Sequence, residues 1–264
     1  MISRISTKPL ISIVTVSFNS EKTIRNTFES VLNQSYNSIE YIVIDGLSND
    51  NTINIIKEYQ DKFPKRNITF KWKSEKDSGI YDAMNKGIKL STGDYIGILN
   101  SDDWYCPNIL ELMAISMIQM PDVDLFHGNI IEITPTISKI IYPKTSMNSL
   151  IWVGMTYLHP SFFVKRGVYD VIIFDDNYKI AADYKFLMQA ILGNFKLHYI
   201  NRPITYMSPG GISEKFIPRI LEGHNIRIDL NFNKFVVYSS TIVRIFRTFT
   251  SKCKTYLIKF KIID

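Results

Sequence analysis

Cysteine is nearly missing from this chain of 264 residues: only Cys106 and Cys253 occur, with no C-x-x-C spacing. That excludes a disulfide framework and a cysteine zinc site, and makes a reducing cytoplasm the expected compartment. Long apolar runs are also missing. No stretch approaches the roughly 18 apolar residues of a membrane-spanning helix. Residues 10–16, the first apolar stretch, are short and lack a small-residue cleavage site, so they read as a strand and not as a signal peptide. Glycine-rich phosphate loops are absent too. The first strand runs into Phe18-Asn19-Ser20-Glu21, with neither G-x-G-x-x-G nor G-x-x-x-x-G-K-[ST]. This argues against a dinucleotide oxidoreductase and a P-loop nucleotidase. No internal repeat and no low-complexity segment occurs.

What is present is enough apolar material, 45% of residues, to bury a substantial core. The formal net charge is +6, but residues 235–264 hold six basic side chains against Asp264 alone, so they carry +5 of it. The body is close to neutral, and no nucleic-acid partner is expected. The chain therefore divides into a catalytic body, residues 1–234, and a basic tail, residues 235–264.

Residues 10–18 alternate apolar and small polar side chains, as a strand with one well-buried face does. Ser20 can cap a helix carrying Ile24, Phe28, Val31 and Leu32. The apolar run 41–44 reads as a parallel strand covered on both faces, ending in Asp45-Gly46. A second helix with Ile53, Ile56 and Tyr59 and a strand over 68–72 repeat the unit. A third helix carries Tyr81, Met84 and Ile88 and precedes a strand over 95–99. The pattern predicts an α/β fold with a mostly parallel, doubly wound sheet flanked by helices. Further on, helices are predicted near 108–117, 180–192 and 215–230, strands near 125–133 and 196–206, and a flexible turn at Pro209-Gly210-Gly211. In the tail, Ile242, Phe246, Phe249, Cys253, Tyr256 and Phe260 form one stripe and Arg244, Arg247, Lys254 and Lys261 another side. That pattern fits a basic amphipathic helix lying on an anionic membrane surface, or one packed on the body with a solvated basic face.

Polar side chains recur at the predicted strand ends: Asn19, Asp45, Asp77 and the pair Asp102-Asp103. Ligands of open α/β sheets bind outside those ends, so the groups are expected to line one crevice. Adjacent carboxylates repel unless a cation joins them to another anion, which suits a divalent metal and a nucleoside diphosphate. Asp183 stands in the first turn of a helix among apolar neighbours. Partial burial there would raise its pKa and suit a general base. His159, before Pro160, is either structural or an acceptor-site group.

A set of short segments, in order, carries a resemblance. They are Val16-Ser17-Phe18-Asn19, residues 45–52 (DGLSNDNT), residues 75–87 (EKDSGIYDAMNKG), residues 93–103 (GDYIGILNSDD), and His159-Pro160-Ser161 with Ala182-Asp183-Tyr184. Together they resemble glycosyltransferase family 2 over roughly residues 10–215. The resemblance implies a glycosyltransferase A-type fold, a nucleotide-sugar donor that we take to be UDP-linked, a divalent metal (Mn²⁺ or Mg²⁺) and inversion at the anomeric carbon. It further implies that Asp45 and Asp77 contact the nucleoside, that Thr15 to Asn19 line the base pocket, that Asp102 and Asp103 serve ribose and metal, and that Asp183 is the catalytic base. Asn100 departs from it, standing where many members have the first aspartate of their motif. The resemblance is to bacterial enzymes that extend O-antigen or capsule units on a polyprenyl diphosphate. The expectation is therefore a hexosyltransferase for a lipid-linked saccharide, peripheral at the cytoplasmic face of the cell membrane. A glycoside hydrolase using two carboxylates and a non-catalytic nucleotide-sugar-binding protein are the alternatives.

Overall fold

The computed structural model describes residues 8–134, 136–208 and 215–261, with side chains through Thr250. The strands are β1 (Ile11–Ser17), β2 (Ile39–Asp45), β3 (Thr69–Ser74), β4 (Tyr95–Ile98), β5 (Trp104–Tyr105), β6 (Leu125–Ile133), β7 (Ser138–Ile141), β8 (Phe163–Lys165) and β9 (Leu197–Met207). The helices are α1 (Ile24–Leu32), α2 (Thr52–Tyr59), α3 (Lys62–Lys65), α4 (Ile80–Leu90), α5 (Ile109–Gln119), α6 (Met147–Trp152), α7 (Arg166–Tyr169), α8 (Ala182–Leu192), α9 (Phe216–Asp229) and α10 (Lys234–Lys261), with a 3-10 turn at His159–Ser161. The predicted turn at Pro209-Gly210-Gly211 lies outside the described residues.

One sheet has the order β3-β2-β1-β4-β8-β6-β9-β5, with β7 added on β6. From β3 to β4 every pairing is parallel, as the strand–helix repeats predict. Beyond β4 the sheet is mixed: β4–β8, β8–β6 and β9–β5 are antiparallel and β6–β9 is parallel. β5 follows β4 after only residues 99–103, two of them in a turn, yet pairs four strand positions away, roughly 19 Å on a flat sheet. The sheet must curl to allow this. The Asp102-Asp103 turn is thereby held between the parallel half and the last strand.

β1 and β2 are buried along their whole length, the pattern of central strands covered on both faces. Ile11 and Ile13 face one apolar layer, with Phe28 of α1, Tyr59 of α2 and Met113 of α5. Val14 and Val16 face the other, with Met84 of α4 and Leu187 of α8. Helix α4 lies so close to β1 that a Cβ on Gly87 would come within 2.2 Å of Val14 Cγ1. The outer strand β3 guards its edge with exposed Lys71 and Lys73.

Helix α10 begins at Lys234, beside the division expected at 234/235, and packs on α9 and α6. Val237, Ser240, Thr241 and Arg244 face the body and are buried, whereas Phe235, Tyr238, Ile242, Phe246 and Phe249 are 57–80% exposed. The solvated basic face expected of the tail therefore needs correcting at Arg244. Val237, Thr241 and Arg244 repeat at helical spacing and form the inward side, leaving the apolar stripe outside. The stripe's continuation at Cys253, Tyr256 and Phe260, with Lys254 and Lys261, lies outside the described side chains. Among the described residues no helix is long and apolar enough to cross a membrane.

Candidate active site

At the carboxyl ends of β1 and β2 two loops are laced together, backbone to side chain. Asn19 N–H donates to Ser48 Oγ (2.8 Å), Ser20 N–H to Thr52 Oγ1 (2.7 Å) and Glu21 N–H to Asp50 Oδ2 (3.0 Å). In return Asn49 N–H donates to Asn19 Oδ1 (3.0 Å) and Asn51 N–H to Glu21 Oε2 (2.9 Å). Asn19 takes the left-handed conformation (φ 50°) that asparagine tolerates. A hydroxyl pair, Ser20 Oγ and Ser101 Oγ at 2.8 Å, ties in the turn after β4. These short polar side chains are what loop backbone requires when it is held without a sheet ladder.

The loops open onto a cleft of about 1160 Å³ lined by Val16–Asn19, Asp77, Asn100, Asp102, His159, Asp183, Arg219 and Arg244, among others. Asp77, Asp102 and Asp183 are thus brought to one cavity, with Asn19 on its wall. Asp77 accepts from Gly79 N–H with Oδ1 (3.0 Å), and its Oδ2 lies where a Cβ on residue 46 would stand, 2.5 Å away. A side chain at 46 would have to displace that carboxylate.

Two residues expected at the nucleoside do not reach the cleft. Asp45 is fully buried, and its oxygens accept from Ser17 Oγ (3.0 Å), Ser48 Oγ (2.5 Å), Ser48 N–H (2.9 Å) and Ser74 Oγ (2.8 Å). It clamps the ends of three strands. Thr15 points into the core, with its hydroxyl 2.9 Å from that of Tyr41. In β1 successive side chains alternate faces, and the cleft wall begins only at Val16.

The adjacent aspartates differ sharply. Asp102 lines the cleft, and burial raises its pKa above the usual carboxylate range. Asp103 does not line it. Only 2% exposed, Asp103 accepts from Asn100 Nδ2 (3.0 Å) and more weakly from Ser208 N–H (3.3 Å); burial and then the charge of Asp102 push its pKa to about 8. Asn100 thereby gives Asp103 a donor where an aspartate would add a third repelling charge. Its own Oδ1 is buried with no hydrogen-bond partner. The orphaned amide oxygen and the Asp102 carboxylate, two residues apart on the cleft wall, are hard-oxygen donors of the kind a divalent cation takes. Among the described residues no group of three or more His, Cys, Asp or Glu side chains is assembled for a metal.

Asp183, also on the cleft wall, occupies the first turn of α8. Its Oδ1 accepts from Tyr184 N–H (2.8 Å) and Tyr81 hydroxyl (3.3 Å). Burial raises its pKa to about 6, opposed by these two hydrogen bonds and by the charge of Arg219. The loop carrying it is pinned by Glu222 of α9, whose carboxylate accepts the N–H groups of Lys179, Ile180 and Ala181 at 2.9 Å each. A carboxylate from a neighbouring helix thus caps the N-terminus of α8. His159 is buried between Phe162 and Phe174, and burial lowers its pKa to about 4, so the ring is neutral. Tyr81, Glu222, Arg219 and Arg244 carry no site signature in the sequence. Tyr81 reads there as a core position, and the others lie 36 or more residues beyond Asp183 with no local motif.

The curled sheet has known counterparts. The crystal structure of S. aureus TarS 1–349 in complex with UDP superposes with a TM-score of 0.66 at 19% identity, covering 91% of this chain and 72% of that one. The protein has the glycosyltransferase A-type fold, with its cleft at the carboxyl ends of the parallel strands. The sequence matches Glycosyl transferase family 2 over residues 12–157, and the chain belongs to that family. An uncharacterized glycosyltransferase of Methanocaldococcus jannaschii is 30% identical over 205 residues, 73% of this chain and 68% of the relative. The UDP-Glc:α-D-GlcNAc-diphosphoundecaprenol β-1,3-glucosyltransferase WfgD of Escherichia coli is 35% identical over 145 residues, 54% of this chain and 55% of WfgD.

Proposed function

We propose that this glycosyltransferase moves a hexose of glucose or galactose type from a UDP-sugar to a saccharide carried on a polyprenyl diphosphate, with inversion, in bacterial cell-surface polysaccharide (O-antigen) synthesis. The observation carrying the reading is that one cleft brings together Asp77, Asp102 and Asp183, with burial raising the Asp183 pKa to about 6. The likeness to WfgD, whose name specifies a UDP-sugar and a diphosphate-lipid acceptor, supports the substrates.

In this mechanism Asp77 accepts an N–H of the base, with Val16 to Asn19 as the wall beside it. Asp102 and Asn100 Oδ1 would hold a divalent cation, Mn²⁺ or Mg²⁺, which when bound offsets the charge growing on the departing diphosphate. Asp183 removes the acceptor hydroxyl proton. That oxygen attacks the anomeric carbon from the face opposite the diphosphate, and the bond from that carbon to the diphosphate oxygen breaks. Asp45 and Asp103 fix the loops without touching substrate. Incubating the protein and Mn²⁺ with a panel of UDP-sugars and a synthetic diphosphate-lipid saccharide should give a product one hexose heavier. Free sugar alone, without a nucleotide requirement, would point to hydrolysis; donor binding without transfer would leave a binding protein.

The exposed stripe Phe235, Tyr238, Ile242, Phe246 and Phe249 supports peripheral attachment at the cytoplasmic face of the membrane, with the tail lying in the headgroup layer. Replacing Ile242, Phe246 and Phe249 together by serine is expected to abolish flotation with anionic vesicles. Undiminished flotation rejects the attachment.

A further inference from the structure

Two arginines line the cleft near Asp183. Arg244, from the inward side of α10, is only 7% exposed yet lines the cavity, and its Nη1 is buried with no hydrogen-bond partner. Two glycines make room for it. A Cβ on Gly154 (φ +109°) would come within 2.5 Å of Nη2, and one on Gly223 within 3.2 Å of Nη1. Arg219, half-buried, lines the same cavity and lies near enough to Asp183 to favour its ionised form. Behind them Arg227 is already engaged, donating to Ile151 O (2.6 Å) and Thr241 Oγ1 (3.1 Å).

Among the described residues no carboxylate forms a salt bridge with Arg219 or Arg244. Burial, then the charges of Arg227 and Arg219, pull the Arg244 pKa down to about 10, so it stays protonated at neutral pH. A buried cation without an anion is costly, and a guanidinium fork with free N–H groups is shaped for phosphate oxygens.

The position of this pair says which phosphate. Among the described residues Asp183 is the one carboxylate whose charge acts on Arg219, none acts on Arg244, and neither arginine acts on Asp102, so a diphosphate beside Asp102 needs a cation whereas one beside the arginines does not. Asp183, which faces the acceptor hydroxyl, lies with the arginines. We infer that Arg244 and Arg219 form a phosphate subsite on the acceptor side, holding the phosphate or diphosphate through which the acceptor saccharide is linked to its carrier. This rests on the transferase reading above, in which Asp183 is the base. The outward face of the same helix is the apolar stripe, which puts the carrier's anionic head and its hydrocarbon on one element.

The test uses the full chain and the UDP-sugar that turns over. The same saccharide is offered on a short alkyl diphosphate and as a neutral alkyl glycoside, and UDP-saturated protein is titrated calorimetrically with a short prenyl diphosphate. In Arg244→Gln and Arg219→Gln, kcat/KM on the diphosphate acceptor should fall about tenfold or more through KM. The preference over the neutral glycoside should shrink by the same factor, and prenyl diphosphate should bind correspondingly more weakly. Arg244→Lys should retain part of each. If the loss appears instead in the donor KM or in UDP affinity, the arginines serve the donor's diphosphate and the inference is wrong. Equal losses on both acceptors, or no prenyl diphosphate binding by the wild type, also overturn it. Should Arg244→Gln melt at reduced temperature, the half-buried Arg219 variant decides. Failure of the wild type to transfer to either acceptor while still binding prenyl diphosphate counts against the transferase reading and not against the subsite.

Discussion

Asp183→Asn is expected to lower kcat by about 10²–10⁴-fold, the range a positioned proton acceptor contributes. The amide keeps the size of the side chain and can still accept from Tyr81 and from the Tyr184 N–H, so helix α8 and its Glu222 cap should stand, and UDP affinity should stay near wild type. The pH profile gives a second check. Burial raises the pKa of Asp183 to about 6, and only the ionised form takes a proton. Activity should be full above that value and fall tenfold per pH unit well below it. Near-native turnover by the variant, or a kcat/KM profile flat down to pH 5, would remove Asp183 from the reaction.

The second large effect separates two neighbours that look equivalent on paper. Asp102→Ala is expected to cost about 10²–10³-fold in kcat and to abolish stimulation by added Mn²⁺, because the cleft loses its one open carboxylate at that turn. Asp103→Asn should cost far less. Asp103 is buried, bonded to Asn100 and Ser208, and its pKa near 8 keeps it mostly protonated at neutral pH when no cation is near. Activity and Mn²⁺ titrations of both variants give the ranking. The reverse order would make Asp103 the ligand.

Much of this architecture can be read in the chain itself. The first half alternates short apolar runs with helical stripes, and each run ends in a polar cluster, so a parallel sheet with a crevice at its carboxyl edge follows from periodicity and turn chemistry. The place of Asp183 at a helix start among apolar neighbours is legible for the same reason. The failures share a cause. Asp45 and Asp102 are alike as letters after a strand, but whether a carboxylate faces substrate or clamps backbone depends on hydroxyls 28 or 29 residues away, at Ser17 and Ser74. Thr15 belongs to a run whose small polar residues face both ways. The burial of Arg244 is not legible because a helical stripe defines two sides without saying which of them another helix covers. Here α9 and α6 cover the polar one. Glu222 has no local signature, since the helix end it caps lies some 40 residues earlier.

On the donor placement proposed above, the lacing of residues 19–21 to 48–52 bears on how the nucleotide is met. Each rung satisfies a backbone N–H with a side-chain oxygen from the facing loop, so the two segments stiffen one another before any ligand arrives. A base and ribose entering beside Asn19 meet a surface already in shape, and little conformational freedom is surrendered on that side when they dock. Recognition of the nucleotide half is then closer to a key seat than to a closing hand, with selectivity set by fit and not by rearrangement.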